Sequence, residues 1–183
     1  MRAERIDTLV IGGGQAGLAM SYHLKQRGLR HLMLERGLIA ERWRSERWDG
    51  LRFQFPNWSV RLPDFPLRHG DPDGFATARE IVEFIDAYAA FVAPPIRGGV
   101  EVKRLRRGDG EAYGLIAETP EGAIEAKNVV VATGPYQRPV IPALLDDSRI
   151  FQVHASRYRN PAQLPSGAVL VVGAGASGAQ IAE

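Results

Sequence analysis

Two glycine-rich stretches carry the residue types and spacing that could hold a phosphate. The first reads Asp7-Thr8-Leu9-Val10-Ile11-Gly12-Gly13-Gly14-Gln15-Ala16-Gly17. The second reads Ala168-Val169-Leu170-Val171-Val172-Gly173-Ala174-Gly175-Ala176-Ser177-Gly178 and continues to Glu183. Each runs from an apolar strand through G-x-G-x-x-G into the start of a helix. Free N–H groups at a helix start, aided by the helix dipole, favour a pyrophosphate. One such unit suggests one dinucleotide. Two in one chain suggest two dinucleotides, and so an enzyme that moves electrons between them.

Each glycine has a separate task. Gly12 permits the tight turn out of the strand, Gly14 lets the backbone approach the pyrophosphate, and Gly17 lets the helix sit close to the strand. Gly12, Gly13, Gly14, Gln15, Ala16 and Gly17 are therefore the expected contacts of the first dinucleotide. Glu35 closes the next strand, 18 residues after Gly17, where a carboxylate can accept from ribose hydroxyls; Arg36 follows it. In the second stretch Gly173, Gly175, Ser177 and Gly178 are the equivalent contacts, and its selector residue would lie beyond Glu183.

These motifs need elements to position them. The spacing predicts a buried strand over 6–12, a helix over 15–28 stopped by Gly28, and a strand over 31–35. Together they form a right-handed, parallel βαβ unit. Residues 37–76 hold all three tryptophans (Trp43, Trp48 and Trp58) and read as a loop-rich excursion with one short helix near 39–45. Thr77-Ala78-Arg79-Glu80 has the form of a capping box, opening a helix to about Phe91 that Pro94-Pro95 ends. Short strands follow at about 99–105, 112–118 and 123–127, with turns at Gly108-Asp109-Gly110 and Pro120-Glu121-Gly122. Asn128 to Ala132 is a further buried strand, closing in Thr133-Gly134-Pro135. Residues 136–167 form a proline-rich connector, and 168–172 the strand of a second unit.

The fold class is thus α/β. A Rossmann-like dinucleotide-binding domain with a parallel sheet and a small β-meander spans 1–135, and a second Rossmann-like nucleotide domain begins at 168. With the chain ending at Glu183, the second domain is expected to be truncated.

Composition narrows the class. At 183 residues, 45% hydrophobic and 24% charged, the chain is globular in character. A formal charge of +2 does not argue for nucleic acid, and the dense cluster Lys103-Arg104-Leu105-Arg106-Arg107 reads as a solvated turn. There is no cysteine in the 183 residues, so no disulfide framework, thiolate metal site or redox dithiol lies within them. His23, His31 and His69 lack metal-ligand spacing and read as incidental. No apolar run is long enough to span a membrane, and no signal peptide precedes the first strand, which points to a cytoplasmic location.

The order of first fingerprint, Glu35, tryptophan-rich loop, small meander, Ala132-Thr133-Gly134, connector and second fingerprint resembles the flavin-containing monooxygenases. More broadly it is similar to the two-dinucleotide flavoproteins, including the plant auxin-forming monooxygenases. The resemblance covers essentially the whole chain. It implies FAD at the first site and NADP (or NAD) at the second, in a Rossmann-like FAD-binding domain over 1–135 that is expected to lack its C-terminal return. It also implies that Ala132, Thr133 and Gly134 match the A-T-G motif where the chain leaves the FAD domain. Arg42 and Trp43 match the stretch that lies along FAD, and the main chain of Val102 would meet the adenine. Asn57 falls where relatives place an asparagine near the flavin ring. His154 and Tyr158 fit part of the signature F-x-G-x-x-x-H-x-x-x-[YF], although Ser148 and Ile150 occupy its phenylalanine and glycine positions and Phe151 is out of register. Asn57 and His154 are the implied catalytic candidates, with a role for His154 in ordering the connector as the alternative. Tyr158 stands where the Baeyer–Villiger relatives carry tryptophan, which weighs against ketone oxygenation.

The implied reaction is reduction of FAD by NAD(P)H, then oxygen transfer from a flavin C4a-hydroperoxide to a small soft nucleophile, with dioxygen and that small molecule as partners. Alternatives are an NAD(P)H–flavin oxidase that does not oxygenate, a non-catalytic nucleotide-binding fragment, and a disulfide reductase, which the missing cysteine pair disfavours. An uncovered apolar flank would favour a homo-oligomer.

Overall fold

The computed structural model describes residues 4–108, 112–135, 138–142 and 149–183. The chain divides into two compact units: Met1–Glu41 with Leu62–Pro66 and Phe84–Pro135, and Arg42–Arg61 with Leu67–Glu83 and Tyr136–Glu183.

The first unit is built on a six-stranded sheet. Strand β1 (Glu4–Ile11) leads into helix α1 (Gln15–Gln26) and strand β2 (His31–Glu35). The two-residue strands β3 (Arg61–Leu62) and β4 (Phe65–Pro66) are the next strands in the chain, then β5 (Ile96–Gly98), β6 (Arg104–Arg107), β7 (Leu115–Thr119) and β8 (Gly122–Val131). The order is β5-β2-β1-β8-β7-β6. Strands β5, β2, β1 and β8 are parallel, whereas β8, β7 and β6 form an antiparallel meander. Leu9 and Val10 are fully buried because β1 is central and flanked on both sides. Burying each such side chain contributes about 1.5–3 kcal/mol. Leu9, Leu34, Val100, Ile124 and Ala126 share one core.

Helix α1 buries Gly17, Leu18, Ser21 and Leu24, one stripe at helical spacing. It ends as expected at Gly28, which has φ +63°. Gly28 N donates to Lys25 O and Leu29 N to Leu24 O, the paired bonds of a Schellman stop. His31 is not incidental. It is buried, and its Nε2 lies 2.7 Å from the buried Ser21 Oγ, joining α1 to β2. Metal-ligand spacing could not show this, because the partner is a single hydroxyl one helix away.

Helix α3 (Ala78–Val92) opens on the expected capping box: Thr77 N donates to Glu80 Oε2 at 2.7 Å and Glu80 N to Thr77 Oγ1 at 3.1 Å. Within the first unit Phe65 meets Phe84, Tyr88 and Phe91, with centroids 5.3–5.6 Å apart. Burial pushes the Tyr88 phenol up to about 12.

Several expected boundaries move. Residues 123–127 and 128–132 are one ten-residue strand, β8, because β1 pairs along nearly all of it from Glu4↔Ile124 to Ile11↔Val131. Its end is not buried, and Val131 is 63% exposed. The strand expected at 99–105 does not form as such: β5 ends at Gly98, Gly99 turns with φ +75°, residues 99–103 are not strand, and only 104–105 fall in β6. The Gly108-Asp109-Gly110 turn extends outside the described residues. The short helix near 39–45 is α2 (Glu41–Ser45).

In the second unit the tryptophan-rich excursion has its own core. Trp48, Leu51 and Tyr158 are buried together, with Trp43, Val153 and Ile181 against them. Helix α4 (Ala176–Ala182) supplies Ile181. The strand expected at 168–172 does not form. These residues pair with no described strand, and Val169, Leu170 and Val172 are 61%, 74% and 62% exposed. A strand needs a neighbour for its backbone groups, and the described residues supply none there. No helix among the described residues is long and apolar enough to cross a membrane.

Candidate functional site

The first fingerprint has the form of a phosphate cradle. Gly12 has φ +113°, and a Cβ there would lie 2.4 Å from Ala132 O. Gly17 faces the same loop, where a Cβ would lie 2.0 Å from Gly12 O. Both positions are closed to any side chain. Gly14 is the opposite case: a Cβ would meet nothing within 4 Å. The glycines thus separate into two that seal the turn and one, at the N-terminus of α1, whose Cβ position is open.

Glu35 fixes the loop. Gly13 N donates to Glu35 Oε2 at 2.6 Å and Gly37 N donates to Oε1 at 2.8 Å. Each oxygen keeps a lone pair for a further donor. Glu35, at the end of β2, therefore anchors the glycine loop that follows β1. The Gly37 contact was not anticipated; its only sequence signal is a glycine two residues after the acid. Ala132-Thr133-Gly134 leaves β8 against Gly12, with Ala132 N donating to Ile11 O at 2.8 Å and Gly134 at φ +77°. Val102 packs, half-buried, against the sheet core.

The second fingerprint repeats the local geometry. Gly173 has φ +117°, a Cβ on Gly178 would lie 1.9 Å from Gly173 O, and Gly175 meets nothing within 4 Å. Gly175 caps α4 with extended φ and ψ, as Gly14 caps α1.

The two catalytic candidates differ. Asn57 Nδ2 donates to Asp71 O at 2.9 Å, and its buried Oδ1 has no partner among the described residues. His154 is engaged locally: its Nδ1 accepts from Ser156 N at 3.2 Å and lies 3.0 Å from Ser156 Oγ. Its carbonyl accepts from Arg157 N and Tyr158 N. Tyr158 is a core residue at 7% exposure. Trp43 lies against that core, with the Arg47 guanidinium 4.9 Å above its ring. Burial and the nearby Arg42 charge hold Arg47 below the usual guanidinium range. Arg42 pairs with Glu46 at 2.7 Å.

The family model described as pyridine nucleotide-disulphide oxidoreductase matches residues 9–183. The chain belongs to this pyridine nucleotide-disulphide oxidoreductase family. Its 183 residues contain no cysteine, so the dithiol of the family name has no counterpart within them. The chain is 44% identical over 180 residues to an uncharacterized CzcO-like oxidoreductase of Geobacillus kaustophilus, covering 97% of this chain and 50% of the relative. It is similar to a mutant flavin monooxygenase from Stenotrophomonas maltophilia, with TM-score 0.85 and 27% identity over 97% of this chain and 53% of that one. It shares its fold with the OTEMO complex with FAD and NADP, at TM-score 0.72 and 21% identity, over 98% of this chain and 37% of that one. The chain spans about half the length of the curated relatives it matches.

Proposed function

We propose that the chain is the nucleotide-binding part of an FAD-dependent, NAD(P)H-using flavin monooxygenase that oxygenates a small soft nucleophile with dioxygen. The observation that carries the FAD site is the open position at Gly14 between two sealed glycines, beside an acid already fixed to the same loop. The flavin monooxygenase from Stenotrophomonas maltophilia supports the reaction class, and the complex that holds both FAD and NADP supports the pair of cofactors.

The residues fit the group. Gly12 to Gly17 would hold the FAD pyrophosphate on backbone N–H groups at the start of α1. Glu35 would accept from the adenosine ribose, and Arg36 and Ala132 to Gly134 would border the site. Gly173, Gly175, Ser177 and Gly178 would do the same for NAD(P)H. Bound flavin supplies the hydride acceptance and the oxygen chemistry. The protein then orients two dinucleotides and excludes water, so no side-chain nucleophile is required. The partnerless Asn57 Oδ1 is suited to accept one hydrogen bond from a bound group. His154, engaged within its own turn, orders the connector.

The test is FAD titration of the chain, then anaerobic NADPH addition while the oxidised flavin absorbance is followed. The proposal expects saturable FAD binding, bleaching by NADPH, and oxygen uptake matched by oxygenated product when a sulfide or amine is present. Oxygen uptake that appears only as hydrogen peroxide would instead favour a non-oxygenating oxidase. Absence of FAD binding would overturn the cofactor assignment.

A further inference from the structure

We infer that strand β6 is a docking edge for an extended acidic segment of another protein, which joins the sheet as a further strand and alternates acidic with apolar residues. The cluster Lys103-Arg104-Leu105-Arg106-Arg107, expected as a solvated turn, is in its last four residues this strand. β6 stands last in the six-stranded sheet, and all four of its residues are exposed. Its one partner among the described strands is β7. Alternate residues of such an edge turn N–H and C=O away from the sheet, where an incoming strand can pair with them.

The register sorts the side chains. Arg104 and Arg106 lie opposite Glu118 and Ile116 on one face, and Leu105 and Arg107 lie opposite Ala117 and Leu115 on the other. Ala117 belongs to the core of the first unit, so the Leu105 face continues that core to its rim, where Leu105 is 39% exposed. An added strand would set acids beside Arg104 and Arg106 and apolar side chains beside Leu105, which requires alternation.

Charge selects the occupant. Lys103 pairs with Glu101, and Arg106 Nε with Glu118 Oε1 at 2.6 Å. Arg104 and Arg107 have no ion pair among the described residues. Two copies of this chain laid edge to edge would set arginine against arginine, which like-charge repulsion opposes. A nucleic acid would meet the cations and leave the edge backbone unpaired. An acidic strand satisfies both the cations and the backbone.

The experiment titrates the chain with a blocked, fluorescently labelled octapeptide that alternates glutamate and valine, reading anisotropy and backbone amide hydrogen exchange. Saturable binding is expected, with exchange slowed across 104–107. The same peptide N-methylated at every residue keeps its charge but cannot pair as a strand, and should bind at least about tenfold more weakly. Arg104→Glu combined with Arg107→Glu should weaken the unmethylated peptide at least about tenfold, with unchanged circular dichroism. Equal affinity of the N-methylated peptide, or binding that leaves exchange at 104–107 unchanged, would mean attraction by charge alone and overturn the inference. Tighter binding of oligothymidylate at 104–107, tighter binding of a lysine–valine peptide, or anisotropy that never saturates would overturn it as well.

Discussion

The two fingerprints have nearly the same turn and very different surroundings. Gly12 and Gly173 have φ +113° and +117°, and Gly17 and Gly178 are equally closed against their loop carbonyls. The strand before the first lies between β2 and β8, while residues 168–172 have no strand partner among the described residues and stay largely exposed. Turn and helix start are therefore set locally, by glycines and a short run of small residues. The strand is set by neighbours, and among the described residues only the first site has them. Glu35 on β2 adds the acid that the second site does not have within the chain.

The largest expected contrast sets Gly17→Ala against Gly178→Ala. Both methyl groups would overlap a carbonyl oxygen, at 2.0 and 1.9 Å. At Gly17 the displaced helix is packed on the central sheet, so the variant should lose about 3 kcal/mol in urea unfolding. At Gly178 the preceding residues are unpaired, and the loss should stay under about 1 kcal/mol. Equal losses would mean that the second turn is supported as firmly as the first.

Next in size is Glu35→Ala, which leaves the N–H groups of Gly13 and Gly37 without their acceptor. It should cost about 1–3 kcal/mol, with Glu35→Gln recovering part, since one amide oxygen can still accept. A null effect on thermal unfolding would show that the acid does not hold the loop.

The smallest concerns the cap of α3. The Glu80 carboxyl is held below its ordinary value, first by the Thr77 backbone N–H, then by the Thr77 hydroxyl. A carboxyl lowered by folding gives stability that is complete above its unfolded value, near pH 4.3. That stability is lost as pH falls through the lower, folded value. Glu80→Gln should therefore be less stable by no more than about 0.5 kcal/mol at pH 7, because solvent screens the carboxylate and glutamine can still accept from Thr77 N, and the gap should narrow at about pH 3. A gap that widens in acid would reverse the sign of this argument.

Much of the first unit was legible because its signals are local. Leu9-Val10-Ile11 followed by glycine gives the strand and turn, Gly28 the helix stop, and Thr77 with Glu80 the next start. The parts that moved depend on partners distant in sequence. The length of β8 comes from pairing with β1, more than 110 residues earlier. Residues 168–172 have no strand partner among the described residues, so their apolar run alone does not make a strand. His31 was illegible for the same reason: a side chain's partner one helix away leaves no mark on spacing.

The FAD site proposed at the first fingerprint has its open position at Gly14. Flavin fluorescence titration of the chain and of Gly14→Val tests it most directly. Nothing lies within 4 Å of the added Cβ, so unfolding should shift by no more than about 0.5 kcal/mol while FAD affinity falls at least about a hundredfold. Unchanged FAD affinity in a folded Gly14→Val protein would contradict the account.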